Sequence, residues 1–187
     1  QDGIKIAILN YTYGTNGILV PKGKEYLVNL WDDTYNYEGY KEIVKKDIEK
    51  LKDKVDVLIV AMHWGREYTH VPTELEKETA KYLASLGVDI IIGTHPHVIQ
   101  PITYIDDTLV IYSLGNFLSG QIGINKQIGM LASLEVHKVV DGDNVEVTIK
   151  NVRGDLIYTH YNYYNGRYSN YYVYPFNELN DSILSNY

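Results

Sequence analysis

The fold is decided by residues 55–120, in which two apolar runs, VDVLIVA (Val55–Ala61) and VDIIIG (Val88–Gly93), flank one helical pattern (Pro72–Leu86). Short, nearly continuous apolar runs are typical of strands buried on both faces of a parallel sheet. Two parallel strands joined by a helix start at the same edge of their sheet. The turns that follow the two runs are therefore predicted to emerge together at the carboxyl edge.

Three histidines stand in those turns: His63 in the first, and His95 and His97 in the second. Neighbouring strands lie about 4.8 Å apart, so the three imidazoles are predicted to converge. Pro96 favours an extended backbone at His95, and in an extended segment residues two apart project to the same side. Neutral imidazole is the commonest metal-binding side chain, and Glu67 could add a carboxylate as ligand or base. The pattern favours a metal or catalytic site, and the alternative is a set of hydrogen-bonded turn histidines.

The rest of the chain predicts one further helix and several strands. An alternating run predicts a strand at Ile4–Asn10, and an amphipathic pattern predicts a helix at Glu38–Lys54. The residues from Pro101 to Asp107 are predicted to form a short connection. Beyond Gln127 the period changes to two, which predicts an antiparallel hairpin and more strands. The predicted later strands are Thr108–Tyr112, Met130–Val140, Val145–Val152 and one or two within Asp155–Tyr174.

The composition favours one globular domain over residues 1–187, with a βαβ part at 1–120 and an antiparallel, tyrosine-rich part at 121–187. A net charge of −7 argues against a nucleic-acid surface, because phosphate binding needs clustered Lys and Arg. No apolar run reaches the roughly 18 residues that a membrane-spanning helix needs. The absence of cysteine excludes disulfides and thiolate metal sites. Because the chain opens at Gln1 without an initiator Met, we expect it to be a piece of a longer protein.

Short motifs occur in order along the chain: IKIA (4–7), YTYGTNG (11–17), HWGREY (63–68), IGTHPHVIQP (92–101) and YSLGNF (112–117). Together they resemble the CapA family of bacterial capsule and poly-gamma-glutamate synthesis proteins, which is similar to the calcineurin-like metallophosphoesterases. The resemblance implies an α/β fold: the carboxyl-terminal part of a four-layer α/β/β/α metallophosphoesterase-like sandwich, with a parallel βαβ core followed by antiparallel strands.

The resemblance also implies a metal centre. In the superfamily two metal ions lie between facing sheets, and His63, His95 and His97 match metal-binding histidines of its pattern. The implied cofactor is a divalent ion, Mn, Zn or Fe. No Gly-Asp or Asn-His pair precedes His63, so the resemblance covers the carboxyl-terminal half of a CapA domain. Three histidines without a bridging carboxylate are expected to bind one ion at most.

Four further residues receive expected roles at this centre. Catalytic roles are expected for Glu67 and His70, the latter because it precedes the second helix near the site. Asn116 and Trp64 are expected to bind substrate, with the indole as an apolar wall.

Three functions follow from these observations. The first is a metal-dependent, phosphoesterase-like hydrolase acting on an anionic polymer or phosphoester in capsule synthesis. The second is a non-catalytic assembly module of a membrane-bound synthase complex. The third is a polymer-binding module built on the tyrosine-rich tail, whose tyrosines are otherwise strand residues with one face buried. The expected location is the outer face of the cell membrane or the cell envelope. Either the upstream half of the fold or a homodimer is expected to cover the sheet.

Overall fold

The computed structural model describes residues 2–31 and 37–184. The chain divides into two compact units, each described here by itself. Unit 1 comprises Gln1–Arg66, Val71–His95 and Pro101–Tyr112, and unit 2 comprises Glu67–His70, Pro96–Gln100 and Ser113–Tyr187. The two short segments of unit 2 interrupt unit 1 after Arg66 and after His95, and the second of them contains His97. The predicted single domain and its parts at 1–120 and 121–187 stay predictions.

Unit 1 contains a five-stranded sheet in the order β1-β2-β3-β5-β4. The first four strands in this order are parallel, and β4 pairs antiparallel to β5. The strands are β1 (Ile6–Thr12), β2 (Val57–His63), β3 (Ile90–Thr94), β4 (Ile102–Ile105) and β5 (Thr108–Ile111). The predicted parallel core is confirmed.

Two helices connect the parallel strands of unit 1, α1 (Tyr37–Leu51) and α2 (Glu74–Ser85). The predicted start of α2 at Pro72 is wrong, because Thr73 caps the helix and Glu74 is its first residue. The helices bury Val44, Ile48, Ala80 and Leu83 in one core with Leu58, Val60, Met62, Ile91 and Val110 of the sheet.

The predicted connection from Pro101 to Asp107 is also wrong. Residues 102–105 form β4, which turns back through Asp106 (φ 50°) to pair with β5. The segment is too short for its own periodicity to show, and it becomes a strand because β5 offers it a pairing edge.

Unit 2 contains an antiparallel sheet in the order β6-β7-β8. Its strands are β6 (Ile128–Asp141), β7 (Asn144–Tyr164) and β8 (Arg167–Pro175), with short helices α3 (Ile124–Gln127) and α4 (Asp181–Leu184) on either side in sequence. The predicted hairpin and tail strands are confirmed, although the tail begins as a continuation of β7. A parallel sheet followed by an antiparallel one confirms the predicted α/β class. None of the helices in residues 2–31 and 37–184 has the length and apolarity to cross a bilayer.

Candidate functional site

The carboxyl edge of the sheet in unit 1 places three strand ends side by side. Thr12, His63 and Thr94 lie in register at the ends of β1, β2 and β3. His63 is therefore the last residue of its strand, two residues beyond the predicted strand end, and His95 follows β3 directly. As predicted, the segments after the two apolar runs leave the sheet at a common edge.

A ring cluster of Tyr13, His63 and His95 lies at this edge. The ring centroids of the two histidines are 4.8 Å apart, with their planes tilted by 58°. Tyr13 stacks almost parallel to His63, at 5.7 Å and 8°, and tilts against His95 at 4.7 Å. Sequence reasoning missed Tyr13, although it follows the end of β1 as His95 follows the end of β3. The rule that residues at the carboxyl ends of neighbouring parallel strands meet, applied to β1 as well as to β2 and β3, would have identified Tyr13.

A hydrogen bond links the His63 ring to the last residue of β3. Its Nδ1 lies 3.2 Å from the Thr94 hydroxyl oxygen, and that hydroxyl donates to the Met62 carbonyl at 3.3 Å. With the Thr94 hydroxyl donating to the Met62 carbonyl, its oxygen is free to accept from Nδ1 of His63. A neutral ring that donates from Nδ1 in this way has its lone pair on Nε2, the nitrogen suited to binding an ion.

A cavity of about 450 Å³ opens beside His63 within unit 1. Its lining is largely polar and includes Asn10, Thr12, Asn29 and Thr94. The amide of Asn29 donates to the Asn10 carbonyl at 3.2 Å, which ties the loop before α1 to β1. This volume is within the range of small-molecule sites.

The backbone at the second histidine turn is not extended, so the extended conformation predicted for His95 is wrong. His95 has φ 97° and His97 has φ 59°. Positive φ is uncommon for residues other than glycine, and such conformations persist where surrounding contacts impose them. The preference set by Pro96 is overridden here by the turn that links β3 to the next loop.

In unit 2, the segments 67–70 and 96–100 are joined by hydrogen bonds. Gln100, which is buried, contributes its side-chain amide to this set. The bonds run from the Tyr68 amide to the Pro96 carbonyl (2.8 Å), from Gln100 Nε2 to the Thr69 carbonyl (2.9 Å) and from His70 Nδ1 to the Ile99 carbonyl (2.9 Å). They hold Glu67 beside His97.

Glu67, His97 and Asn116 form a connected polar group in unit 2. Nδ1 of His97 lies 2.9 Å from Oδ1 of Asn116, and Nε2 lies 3.6 Å from a carboxylate oxygen of Glu67. The Asn116 amide nitrogen donates to the Lys126 carbonyl at 2.9 Å and to Oε1 of Gln121 at 3.2 Å. These two bonds orient the amide, so its oxygen accepts from His97. The proton of the neutral ring is thereby fixed on Nδ1.

This arrangement fits a cation between His97 and Glu67. With the proton on Nδ1, the Nε2 lone pair of neutral His97 faces a carboxylate oxygen, and two acceptors repel unless a proton or a cation lies between them. Histidine with its second nitrogen bonded to an oriented acceptor is the usual form of a metal ligand. The two side chains belong to a His/Glu group that could hold a metal ion.

Trp64 and His70 lie in different surroundings. Trp64 is 2% exposed, donates from Nε1 to the Tyr112 carbonyl at 3.1 Å, and stacks on the Tyr112 ring at 5.9 Å. Its indole therefore anchors the end of β2 in the core of unit 1. His70 is exposed and holds its proton on Nδ1, because its partner is a carbonyl. The roles expected for Trp64 in substrate binding and for His70 in catalysis stay predictions.

Sequence reasoning missed three residues around His97: Tyr68, Gln121 and Lys126. The Tyr68 ring stacks on His97 at 6.0 Å and 28°, and Lys126 Nζ lies 4.7 Å from the centre of that ring. Gln121 donates to the Tyr68 hydroxyl at 3.4 Å. Tyr68 is the last residue of the HWGREY motif, so the motif itself could have pointed to it. Gln121 and Lys126 lie outside the quoted motifs, and no regular spacing relates them to the histidines.

Comparison with known proteins identifies a family and relatives involved in capsule synthesis. Residues 1–121 match the family described as "Bacterial capsule synthesis protein PGA_cap". The chain is 40% identical over 80 residues to the PGA biosynthesis protein CapA of Bacillus subtilis (strain 168), covering 43% of this chain and 21% of that protein. It is 31% identical over 125 residues to the capsule biosynthesis protein CapA of Bacillus anthracis, covering 64% of this chain and 28% of that protein.

The chain thus corresponds to between about a fifth and a third of the length of these two relatives. The family match extends over well over half of the chain and includes the ring cluster of unit 1 together with Glu67, His97 and Asn116. The chain therefore belongs to the CapA family of capsule and PGA biosynthesis proteins.

Proposed function

We propose that this chain is part of a metal-dependent, phosphoesterase-like hydrolase that acts on an anionic polymer or phosphoester during capsule or poly-gamma-glutamate synthesis. Family membership and the names of the two CapA relatives support the process. We place the protein on the outer face of the cell membrane or in the cell envelope, working with a membrane-bound synthase complex.

One observation carries the proposed chemistry: His97 Nε2 faces the Glu67 carboxylate at 3.6 Å while Asn116 holds the proton on Nδ1. We assign these two side chains as ligands of one divalent ion. His95 joins them because a single residue, Pro96, separates it from His97 in the chain. His63, at the end of β2, is the fourth candidate ligand. Imidazole and carboxylate ligands suit Zn, Mn or Fe.

The chain's own residues prepare the site for hydrolysis. A bound divalent ion would polarise a phosphoryl or carbonyl oxygen and make a coordinated water more acidic. Asn116 keeps the His97 ring in one tautomer and one orientation. The hydrogen bonds between segments 67–70 and 96–100 position Glu67, and the exposed His70 offers a second imidazole, on the same segment as Glu67.

The test is metal binding by isothermal titration calorimetry with Mn²⁺ and Zn²⁺. His97→Ala and Glu67→Gln are each expected to weaken binding at least tenfold, about 1.4 kcal/mol. The matched control is His137→Ala, because His137 also contacts a carboxylate, Glu135 at 3.0 Å, but lies exposed on β6. It should leave binding unchanged. Wild-type protein that binds neither ion, or His97→Ala that binds both normally, rejects the metal site.

Hydrolysis of bis(p-nitrophenyl) phosphate by the metal-loaded protein tests the catalytic part. His97→Ala is expected to abolish the activity and His137→Ala to retain it. Metal binding without hydrolysis of this phosphodiester or of poly-gamma-glutamate would reject the hydrolase while leaving the metal site standing.

A second candidate function is a non-catalytic module that binds polymer during assembly. The observation that favours it is the set of exposed tyrosines on the β7-β8 hairpin, Tyr163, Tyr164 and Tyr172. Flat aromatic faces can stack on a polymer backbone or a glycan. Tyr158 and Tyr161 are buried, so the tail also serves the core of unit 2. Tyr164→Ser with Tyr172→Ser should weaken binding to capsule polymer if this function holds, whereas His97→Ala should not.

A further inference from the structure

Lys126 is placed by contacts on both its backbone and its side chain. Its carbonyl accepts from the Asn116 amide at 2.9 Å, and its own amide donates to the Gly123 carbonyl at 2.9 Å. Its Nζ lies 4.7 Å from the centre of the Tyr68 ring. The residue that orients His97, Asn116, therefore also fixes the backbone of Lys126.

Tyr68 is itself held firmly in place. It has φ 62°, and its amide donates to the Pro96 carbonyl at 2.8 Å. Its ring stacks on His97, and its hydroxyl accepts from Gln121. Because one ring contacts both His97 and Lys126, the ammonium group lies close to the candidate metal ligands of unit 2.

Within the described residues, the charge of Lys126 is not neutralised by a carboxylate. Across residues 2–31 and 37–184, its ammonium has no Asp or Glu within ion-pair distance. Three other lysines, Lys41, Lys50 and Lys77, pair with an acidic residue three positions earlier. A cation–π contact at a partly exposed site is weaker than a charge-assisted hydrogen bond. The Lys126 ammonium group can therefore leave the Tyr68 ring and bind an incoming anion.

We propose that Lys126, with the Gln121 amide that contacts the same tyrosine, forms a subsite for an oxyanion of the substrate, a carboxylate or a phosphate group. The inference rests on the proposed function, since it assigns the part of the substrate that is held next to the metal ligands. Glu67 carries a negative charge on the same loop as Tyr68, so an anionic group approaching His97 needs a nearby cation to offset the repulsion. Lysine suits this role because it is a flexible point charge.

The experiment measures binding of two probes to the purified protein: a γ-linked glutamate oligomer and inorganic phosphate. Lys126→Gln should weaken binding of at least one probe tenfold or more, and Lys126→Arg should stay within about threefold of wild type. The matched control is Lys150→Gln, an exposed lysine of β7 in the same unit, which should change nothing. The wild-type affinity should also fall as salt is added, because the contact is ionic.

The probe that loses affinity identifies the anion, a carboxylate of the polymer or a phosphate. Equal affinities of Lys126→Gln and wild-type protein for both probes overturn the proposal. Mn²⁺ titration of the same variant separates this result from the proposed function. Lys126→Gln is expected to bind the ion as wild type does, so loss of anion binding with intact metal binding supports the subsite. If wild-type protein binds no metal but the lysine variant still loses anion affinity, the anion subsite is supported and the proposed metal-dependent hydrolase is rejected.

Discussion

Asn116 is the residue on which the candidate centre of unit 2 depends most directly. Its amide nitrogen donates to two oxygens, so its own oxygen has one possible direction, toward Nδ1 of His97. An imidazole needs this kind of support to present Nε2 in a fixed direction, because a free ring changes tautomer and rotates. A side chain that never touches the ion therefore decides how well His97 can bind it.

Replacing Asn116 by Ala is expected to lower Mn²⁺ affinity by 10- to 100-fold, roughly what loss of an outer partner of a metal-bound histidine costs. Asn116→Asp keeps an acceptor for the ring and should lose less. Isothermal titration measures both variants. The control is Asn162→Ala, which removes another asparagine that contacts a histidine, His160, at 3.3 Å on β7. Unchanged metal affinity in Asn116→Ala would show that the ring needs no such support.

At the scale of elements, the turn that follows β2 is fitted to the first turn of α2. Gly65 has φ 81°, and a Cβ atom there would overlap Cδ and Oε1 of Glu76. Glu76 is 2% exposed and completes the capping box of α2, accepting from the Thr73 amide at 2.7 Å. The segment between His63 and Glu67 thus has one conformation, which both the glycine and the helix cap require.

Gly65→Ala is expected to lower the free energy of unfolding by about 2 kcal/mol or more, because the methyl group meets both an unfavourable φ and an occupied space. Gly142→Ala is the control: its φ is 59°, but nothing lies within 4 Å of the added atom, so the loss should be about 1 kcal/mol. Urea unfolding measures both.

The double variant Gly65→Ala with Glu76→Ala separates the two causes. Removing the Glu76 carboxylate frees the space, so the combined loss should be smaller than the sum of the single losses by about 1 kcal/mol. Simple additivity would mean that backbone conformation alone explains the glycine.

The elements that could be predicted are those whose signal is local. The apolar runs at 55–61 and 88–93 predicted the ends of β2 and β3 to within two residues. Because parallel strands joined by a helix start at the same edge, their carboxyl ends were also predicted to lie together. β4 was missed because a four-residue strand is formed by its neighbour rather than by its own pattern. The positive φ of His95 was missed because a turn imposes it. Lys126 was missed because it reaches His97 through Tyr68, fifty-eight positions earlier in the sequence.

At the scale of the whole molecule, the exposed apolar residues of β1 in unit 1 matter most. β1 is the terminal strand, and it turns Ile6 and Ile8 to the same face, where they are 48% and 67% exposed. Ala7 and Leu9, on the other face of the strand, pack against the core. An edge strand with exposed apolar side chains invites pairing or packing with another chain or segment. The relatives are several times longer than the stretches that match this chain, so they contain further segments that could cover such a face.

We propose that, for this chain by itself, a second copy covers the face of Ile6 and Ile8. Sedimentation equilibrium over a range of protein concentrations should then show a reversible dimer. Ile6→Thr with Ile8→Thr should weaken it at least tenfold, since both side chains would lose most of their apolar contact area. The double variant should change the free energy of unfolding little, because both residues are already largely exposed. Leu19→Thr, at another exposed apolar residue of unit 1, should leave the dimer unchanged. A wild-type protein that stays monomeric at every concentration would reject the dimer, and a different segment or partner would then be needed to cover this face.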